Sequence, residues 1–206
     1  MPMPKYKQKK TDKVIAQKGL VIAHIGDGKG KTTAAMGLAV RASGAGMRVF
    51  ILQFVKAKKK ERRESGEWPL SSEIEFFNNI KIPNSLGQIE TEQVGEGFVG
   101  ILGDRKERDA HIREALRGLE LARNLIISNQ YQLIILDEIL SAVELNLLNS
   151  QDIIDLIKLK PEMLHLVITG HDKFPDIIKY CDLVTDMKLK KHPYYEGVLA
   201  QPGIDF

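Results

Sequence analysis

The sequence predicts a single α/β domain built on an open, mainly parallel sheet with helices on both faces. Three observations carry that prediction. Apolar runs rich in β-branched residues recur at 19–25, 47–54, 132–138 and 164–170, helix-patterned segments separate them, and a glycine- and lysine-rich turn, "GDGKGKTT" (26–33), joins the first run to the first helix. Strands that read as continuous apolar runs are those buried on both faces, and strands alternating with helices form parallel sheets with helical layers outside. At 206 residues and 43% hydrophobic, the chain is long enough to bury one substantial core. The expected division is a basic N-terminal arm over 1–18 and one domain over 19–206.

"GLVIAHI" (19–25) is the first strand. In "KTTAAMGLAVRASGAG", Ala34, Ala35, Leu38, Ala39 and Ala42 fall on one helical face, and Gly44 and Gly46 end the helix. "MRVFILQF" (47–54) completes a strand–loop–helix–strand unit, whose crossover must be right-handed. "EIEFF" (73–77) reads as a short strand. The stretch from 87 to 103, with glycines at 87, 95, 97, 100 and 103, reads as a long loop, either functional or merely mobile. Asp104 and Glu107 form a capping-box start to a helix with Ile112, Ala115, Leu116, Leu119, Ala122 and Ile126 along its apolar stripe. "QLIILDE" (132–138) is the most strongly marked central strand. A helix at 151–159 stopped by Pro161, strand "LHLVITG", helix "FPDIIKYC" and strand "DLVTDMKL" follow.

The net charge of +3 excludes a strong global field toward nucleic acid. Two basic blocks stand out, the arm and "KAKKKERR" (56–63), which read as solvated segments or as neighbours of an anionic ligand. Cys181 is the only cysteine, which excludes an internal disulfide and a cysteine-rich metal site. With neither a signal-type apolar core nor an apolar run of membrane-spanning length, the expectation is a cytoplasmic protein that engages neither membrane nor nucleic acid.

The turn at 26–33 has the parts of a phosphate cradle. Gly26, Gly28 and Gly30 permit a tight turn with converging backbone N–H groups, and the helix beginning at Lys31 adds its positive end. Asp27, Lys29, Lys31, Thr32 and Thr33 complete the nucleotide-binding set, with Lys31 on the phosphates and the Thr32 hydroxyl on Mg²⁺. The spacing is one residue shorter than the common Gly-x4-Gly-Lys-Ser/Thr form, since Gly26 precedes Gly30 by four. The fold is therefore expected to be P-loop NTPase-like. Asp137 and Glu138, at the end of a buried strand on the same sheet edge, are the candidate metal-side acids. For Glu138 the alternative reading is a helix-capping carboxylate. Thr169-Gly170 end the next strand at that edge, and Arg41 either reaches the nucleotide or complements the helix dipole.

"GDGKGKTTAAMG" (26–37), "QFVK" (53–56), "LDE" (136–138), "VITG" (167–170) and "KHPYYEGVLAQPGIDF" (191–206), in that order, resemble the corrinoid adenosyltransferases. The resemblance implies transfer of the 5′-deoxyadenosyl group of ATP to the cobalt of cob(I)alamin, with ATP and Mg²⁺ at 26–32, 137 and 138 and with Arg41 near the nucleotide. It also implies that Phe98, in "GEGFVG", pushes the lower axial ligand off cobalt, that an external reductant such as a flavoprotein supplies electrons, and that the protein is a homodimer. Gly100 stands where the family usually has tryptophan, and His171 where it often has arginine. Lys31, Glu138 and Phe98 are the expected catalytic residues. Two other readings stand beside this one: another P-loop phosphotransferase or ATP hydrolase, and a non-catalytic nucleotide-dependent binding protein.

Overall fold

The computed structural model describes residues 17–55, 61–63, 66–68, 71–95, 97, 99, 107–201 and 203–205. Most of the N-terminal arm, the lysines at 56–60, and Phe98 and Gly100 lie outside the described residues.

Six strands form one sheet in the order β5-β2-β6-β7-β1-β8, where β1 is Val21–Ile25, β2 Val49–Gln53, β5 Ile89–Gln93, β6 Leu133–Asp137, β7 His165–Thr169 and β8 Leu183–Asp186. Every pairing in it is parallel. A separate antiparallel pair, β3 (Glu61–Arg63) with β4 (Gly66–Trp68), stands in the basic stretch.

Alternation along the strands sorts side chains between two apolar layers. Val49, Ile51, Leu133, Ile135 and Val167 meet α1 (Lys31–Gly44) and α2 (Ser72–Asn79) on one face, through Ala35, Ala39, Ala42, Ile74 and Phe77. Leu52, Leu136 and Ile168 meet α3 (Arg108–Ile127), α4 (Ile139–Glu144) and α5 (Ser150–Leu159) on the other, through Ala115, Leu119, Ile139 and Ile153. The short α6 (Pro175–Ile178) adds Ile177 to that second layer. Among the described residues, no helix is long and apolar enough to cross a membrane.

The structure differs from the sequence reading at four points. "EIEFF" is not a strand but the middle of α2, where Ile74 and Phe77, three apart, are buried while Phe76 is 55% exposed. The glycine-spaced stretch contains β5, a strand the reading missed. On α3, Leu116 is turned to solvent, and Gly118 replaces it on the buried stripe because Val94 and Phe54 crowd that position. Finally, α3 starts at Arg108, with Glu107 as its N-cap and no side-chain cap bond, and Asp104 of the expected capping box lies outside the described residues.

Candidate functional site

The carboxyl ends of the parallel strands open on one edge. After β1 the chain turns to α1 on one face, and after β6 it turns to α4 on the other. Divergence of this kind opens a crevice at the strand ends where α/β sheets bind ligands.

The turn between β1 and α1 is pressed against the end of β8. The Gly28 N–H donates to the Met187 carbonyl (2.7 Å), the Gly26 N–H to the His171 carbonyl (3.0 Å), and the Leu189 N–H to Asp27 Oδ1 (3.2 Å). Gly26 has φ +107°, and a Cβ on it would lie 2.5 Å from the Met187 carbonyl oxygen. The residue there must be glycine on both counts.

Lys31 folds back over its own turn. Its ammonium donates to the carbonyls of Gly26 (2.7 Å) and Gly28 (2.8 Å), and the residue is 6% exposed. Burial pushes its pKa below the ordinary lysine value, while the negative charges of Glu138 and Asp27 act the other way. Among the described residues, the hydrogen-bond partners of this cation are carbonyls, so a phosphate would gain a charge partner there. Lys29 is exposed and pairs with Asp205 in the C-terminal segment (3.2 Å), which brings that segment to the loop.

Beneath α1 Asp137 is fully enclosed, while Glu138 beside it is half-buried. Asp137 Oδ1 accepts from Thr32 Oγ1 (3.1 Å) and Thr169 Oγ1 (2.8 Å), and its Oδ2 accepts from Gln53 Nε2 (3.0 Å) and Thr32 Oγ1 (3.3 Å). Burial, and then the neighbouring charge of Glu138, push the Asp137 pKa above the usual carboxylate range, and the donors oppose that rise. Thr169 links two strand ends: its hydroxyl donates to Asp137 and accepts the Glu138 N–H (2.8 Å). Glu138 holds a left-handed backbone (φ 60°, ψ 18°) that starts α4 directly after β6, and its carboxylate accepts from Ser141 Oγ. A non-glycine residue in that conformation stores about 1–3 kcal/mol, a cost met mainly at functional edges.

The structure therefore brings together Gly26, Asp27, Gly28, Lys29, Gly30, Lys31, Thr32, Asp137 and Glu138. Thr33 is exposed in the first turn of α1. Arg41 is exposed ten residues beyond Lys31, about 15 Å along the helix axis from it. Phe98 lies outside the described residues. The sequence reading gave no role to Gln53 and Gln93, although "QFVK" included the first of them.

The residues present fit a hard divalent cation. A threonine hydroxyl and a carboxylate lie side by side at the start of a phosphate-type turn, and oxygen donors in this number leave room for phosphate and water ligands, as Mg²⁺ prefers. Among the described residues, no group of three or more His, Cys, Asp or Glu side chains could form an all-protein metal site. Beside the loop opens a cavity of about 650 Å³, within the usual range for small-molecule pockets, lined by Gly26, Asp27, His171, Phe174, Lys188 and Lys190 among others.

Comparison with known proteins places the chain among named relatives. The family model described as ATP:corrinoid adenosyltransferase BtuR/CobO/CobP matches residues 17–206. A Sinorhizobium sp. protein named corrinoid adenosyltransferase is 34% identical over 92% of this chain and 81% of its own length. Proteins of the same name from Pseudomonas aeruginosa and Escherichia coli K12 are 33% and 30% identical, over 95% and 97% of this chain and 89% and 93% of theirs.

Proposed function

The chain belongs to the ATP:corrinoid adenosyltransferase family, and from that premise we propose how its residues divide the work. The protein is an enzyme that moves the 5′-deoxyadenosyl group of ATP to the cobalt of a reduced corrinoid. The C5′–O bond of ATP breaks as the cobalt–carbon bond forms, cobalt(I) supplies the electron pair, and the whole triphosphate departs. No water or hydroxyl has to be activated, so the protein's tasks are to hold the ribose carbon in line with cobalt and to neutralise the leaving chain.

The observation that carries this reading is the contact of Thr32, at the head of α1, with the buried Asp137 at the end of β6. It ties the glycine turn to an acidic strand end in one oxygen-donor cluster. Lys31 leaves its carbonyl partners to pair with the triphosphate, and Lys29 and the remaining loop N–H groups, with Asp27 and Thr33 flanking them, complete the cradle. Thr32 and Asp137, with Glu138 beside them, hold Mg²⁺, which when bound neutralises charge on the departing triphosphate. Arg41 serves the nucleotide from further down α1, and Phe98 acts as the apolar wedge that displaces the lower axial ligand of cobalt. The reductant is external, for example a flavoprotein, and the protein works in the cytoplasm as a homodimer.

The test is product analysis with ATP and chemically reduced cobalamin. Triphosphate and adenosylcobalamin forming in equal amounts support the reading. ADP and phosphate, with no spectral change in the corrinoid, refute it. Lys31→Ala removes a charge-assisted bond of about 1.5–3 kcal/mol, so ATP affinity falls roughly 10- to 150-fold.

A further inference from the structure

The cluster around Asp137 extends further across the sheet than the nucleotide requires. Gln53 and Asp137 are direct register partners on β2 and β6, and Gln53 and Gln93 are direct partners on β2 and β5. Gln93 Nε2 donates to Gln53 Oε1 (2.8 Å), and Gln53 Nε2 donates to Asp137 Oδ2 (3.0 Å). Gln53 is fully buried and Gln93 is 9% exposed. Ser71 Oγ, 3.5 Å from Gln53 Nε2, takes up its remaining N–H.

A buried primary amide has two ends, and its direction is fixed by what meets each end. Both Asp137 oxygens act as acceptors here, and Oδ2 takes the Nε2 end of Gln53. That turns Gln53 Oε1 toward β5, where only a donor can satisfy it, and Gln93 provides one. The chain of amides thus has a single polarity running toward the carboxylate.

Four contacts reach Asp137, and they are of two kinds. Thr169 and Gln53 approach opposite oxygens at 2.8 and 3.0 Å, while Thr32 bridges both oxygens at 3.1 and 3.3 Å. The two shorter bonds come from neighbouring strands and hold the carboxylate plane. The longer, shared one comes from the residue that turns to the cation. We propose that Gln93 and Gln53 form an amide relay that fixes the plane of the Asp137 carboxylate, so that Gln93, two strands away, sets the cation affinity of the nucleotide site without touching ligand. The proposal rests on the assignment of Asp137 to the metal side. Gln93 and Gln53 are positioning residues, acting through Asp137 as outer partners act on metal ligands.

The test reverses the relay. Glu at position 93 only accepts, which turns the Gln53 amide and puts its oxygen against Asp137. Lys at that position only donates and keeps the direction, and Leu removes the partner. ATP affinity is measured for each full-length variant by calorimetry with Mg²⁺ and again with EDTA, and the ratio of the two is the readout. Gln93→Glu is expected to lower the Mg²⁺ advantage about 10-fold or more, Gln93→Leu by an intermediate factor, and Gln93→Lys by no more than about 3-fold. Affinity in EDTA stays unchanged in all three, because Lys31 and the loop are untouched.

Glu and Lys variants with equal ratios overturn the proposal, as does an equal loss with and without Mg²⁺, the result of a merely structural role. If Gln93→Glu fails to fold by circular dichroism, Gln93→Lys against Gln93→Leu decides the matter: the ratio kept in the first and reduced in the second supports the relay, and equal ratios overturn it. Asp137→Asn separates the two layers of argument. Retention of the Mg²⁺ advantage in that variant removes the metal-side assignment and the relay with it. Its loss there, together with a wild-type ratio in Gln93→Glu, removes the relay alone.

Discussion

Substituting Gly26 by alanine perturbs the phosphate turn at the point where its geometry is most tightly specified. Two costs arise, and the structure allows them to be separated. The first is conformational: φ of +107° is a region that residues with a Cβ avoid, at about 1–2 kcal/mol. The second is steric. The new methyl would meet the Met187 carbonyl oxygen at 2.5 Å and Asp186 Oδ1 at 2.6 Å, where ordinary contact begins at 3.4 Å. The turn and the end of β8 must part by almost an ångström, and overpacking of that kind costs about 1–3 kcal/mol. Together the two amount to roughly 2–5 kcal/mol, a large part of the 5–15 kcal/mol that holds a typical domain.

Gly46→Ala is the internal control. Its φ is +83°, but no atom lies within 4 Å of the added methyl, so only the first cost applies. Urea unfolding monitored by circular dichroism should rank wild type above Gly46→Ala and Gly46→Ala above Gly26→Ala, with a gap of about 1–3 kcal/mol between the variants. ATP titration should show wild-type affinity in Gly46→Ala and a loss of about 10-fold or more in Gly26→Ala, since the loop amides move by a sizeable fraction of a bond length. Equal stabilities of the two alanine variants, with ATP affinity intact in both, would refute the reasoning that the β8 end moulds this turn.

Two further outcomes follow from perturbed ionisations. The Asp182 carboxylate accepts from Lys18 and from the Val21 N–H, and these bonds hold its pKa below the ordinary 3.8. A depressed folded value means stability that is present above 3.8 and lost as pH falls through the lower, folded value. Asp182→Asn should therefore cost about 0.5–1 kcal/mol at neutral pH, Lys18 being half exposed, with the difference from wild type closing below pH 3.8 in urea titrations. Burial pushes the Cys181 thiol up to about 11. At pH 8 roughly one molecule in a thousand then carries the thiolate, so iodoacetamide should label the native protein about two orders of magnitude more slowly than free cysteine, and labelling at the free-cysteine rate would contradict that burial.

The parts of this structure legible in the sequence are those whose signal is local. The runs at 19–25, 47–54, 132–138 and 164–170 announce buried strands because both faces need apolar residues, and composition alone carries that. Lys31 and Thr32 were readable because the turn and the helix start that present them are contiguous. By contrast, β5 hides in "IETEQ": an edge strand with a half-solvated surface tolerates polar residues, and its apolar signal disappears. The two turns of α2 give Ile74 and Phe77 too little length to display a helical period. The link of Gln53 and Gln93 to Asp137 was invisible for a third reason. It depends on strands 40 and 84 residues apart in sequence meeting in one register, and no local pattern encodes that.

The same cross-strand row has a consequence for how the chain reaches its fold. Gln93, Gln53, Asp137, Thr169 and His24 all share the face of the sheet that carries α1. Sliding any of these strands by one position would drive an amide, a carboxylate or an imidazole into the hydrocarbon layer around Leu52, Leu136 and Ile168. For Asp137 that penalty is several kcal/mol, with no hydroxyl or amide there to relieve it. Parallel strands joined by long crossovers have no tight hairpin to align them, so misthreaded sheets are a constant hazard for such a topology. In this protein the polar row that ends at the nucleotide site also makes one-residue misalignments of the sheet expensive, so the chemistry of the site doubles as proofreading of the fold.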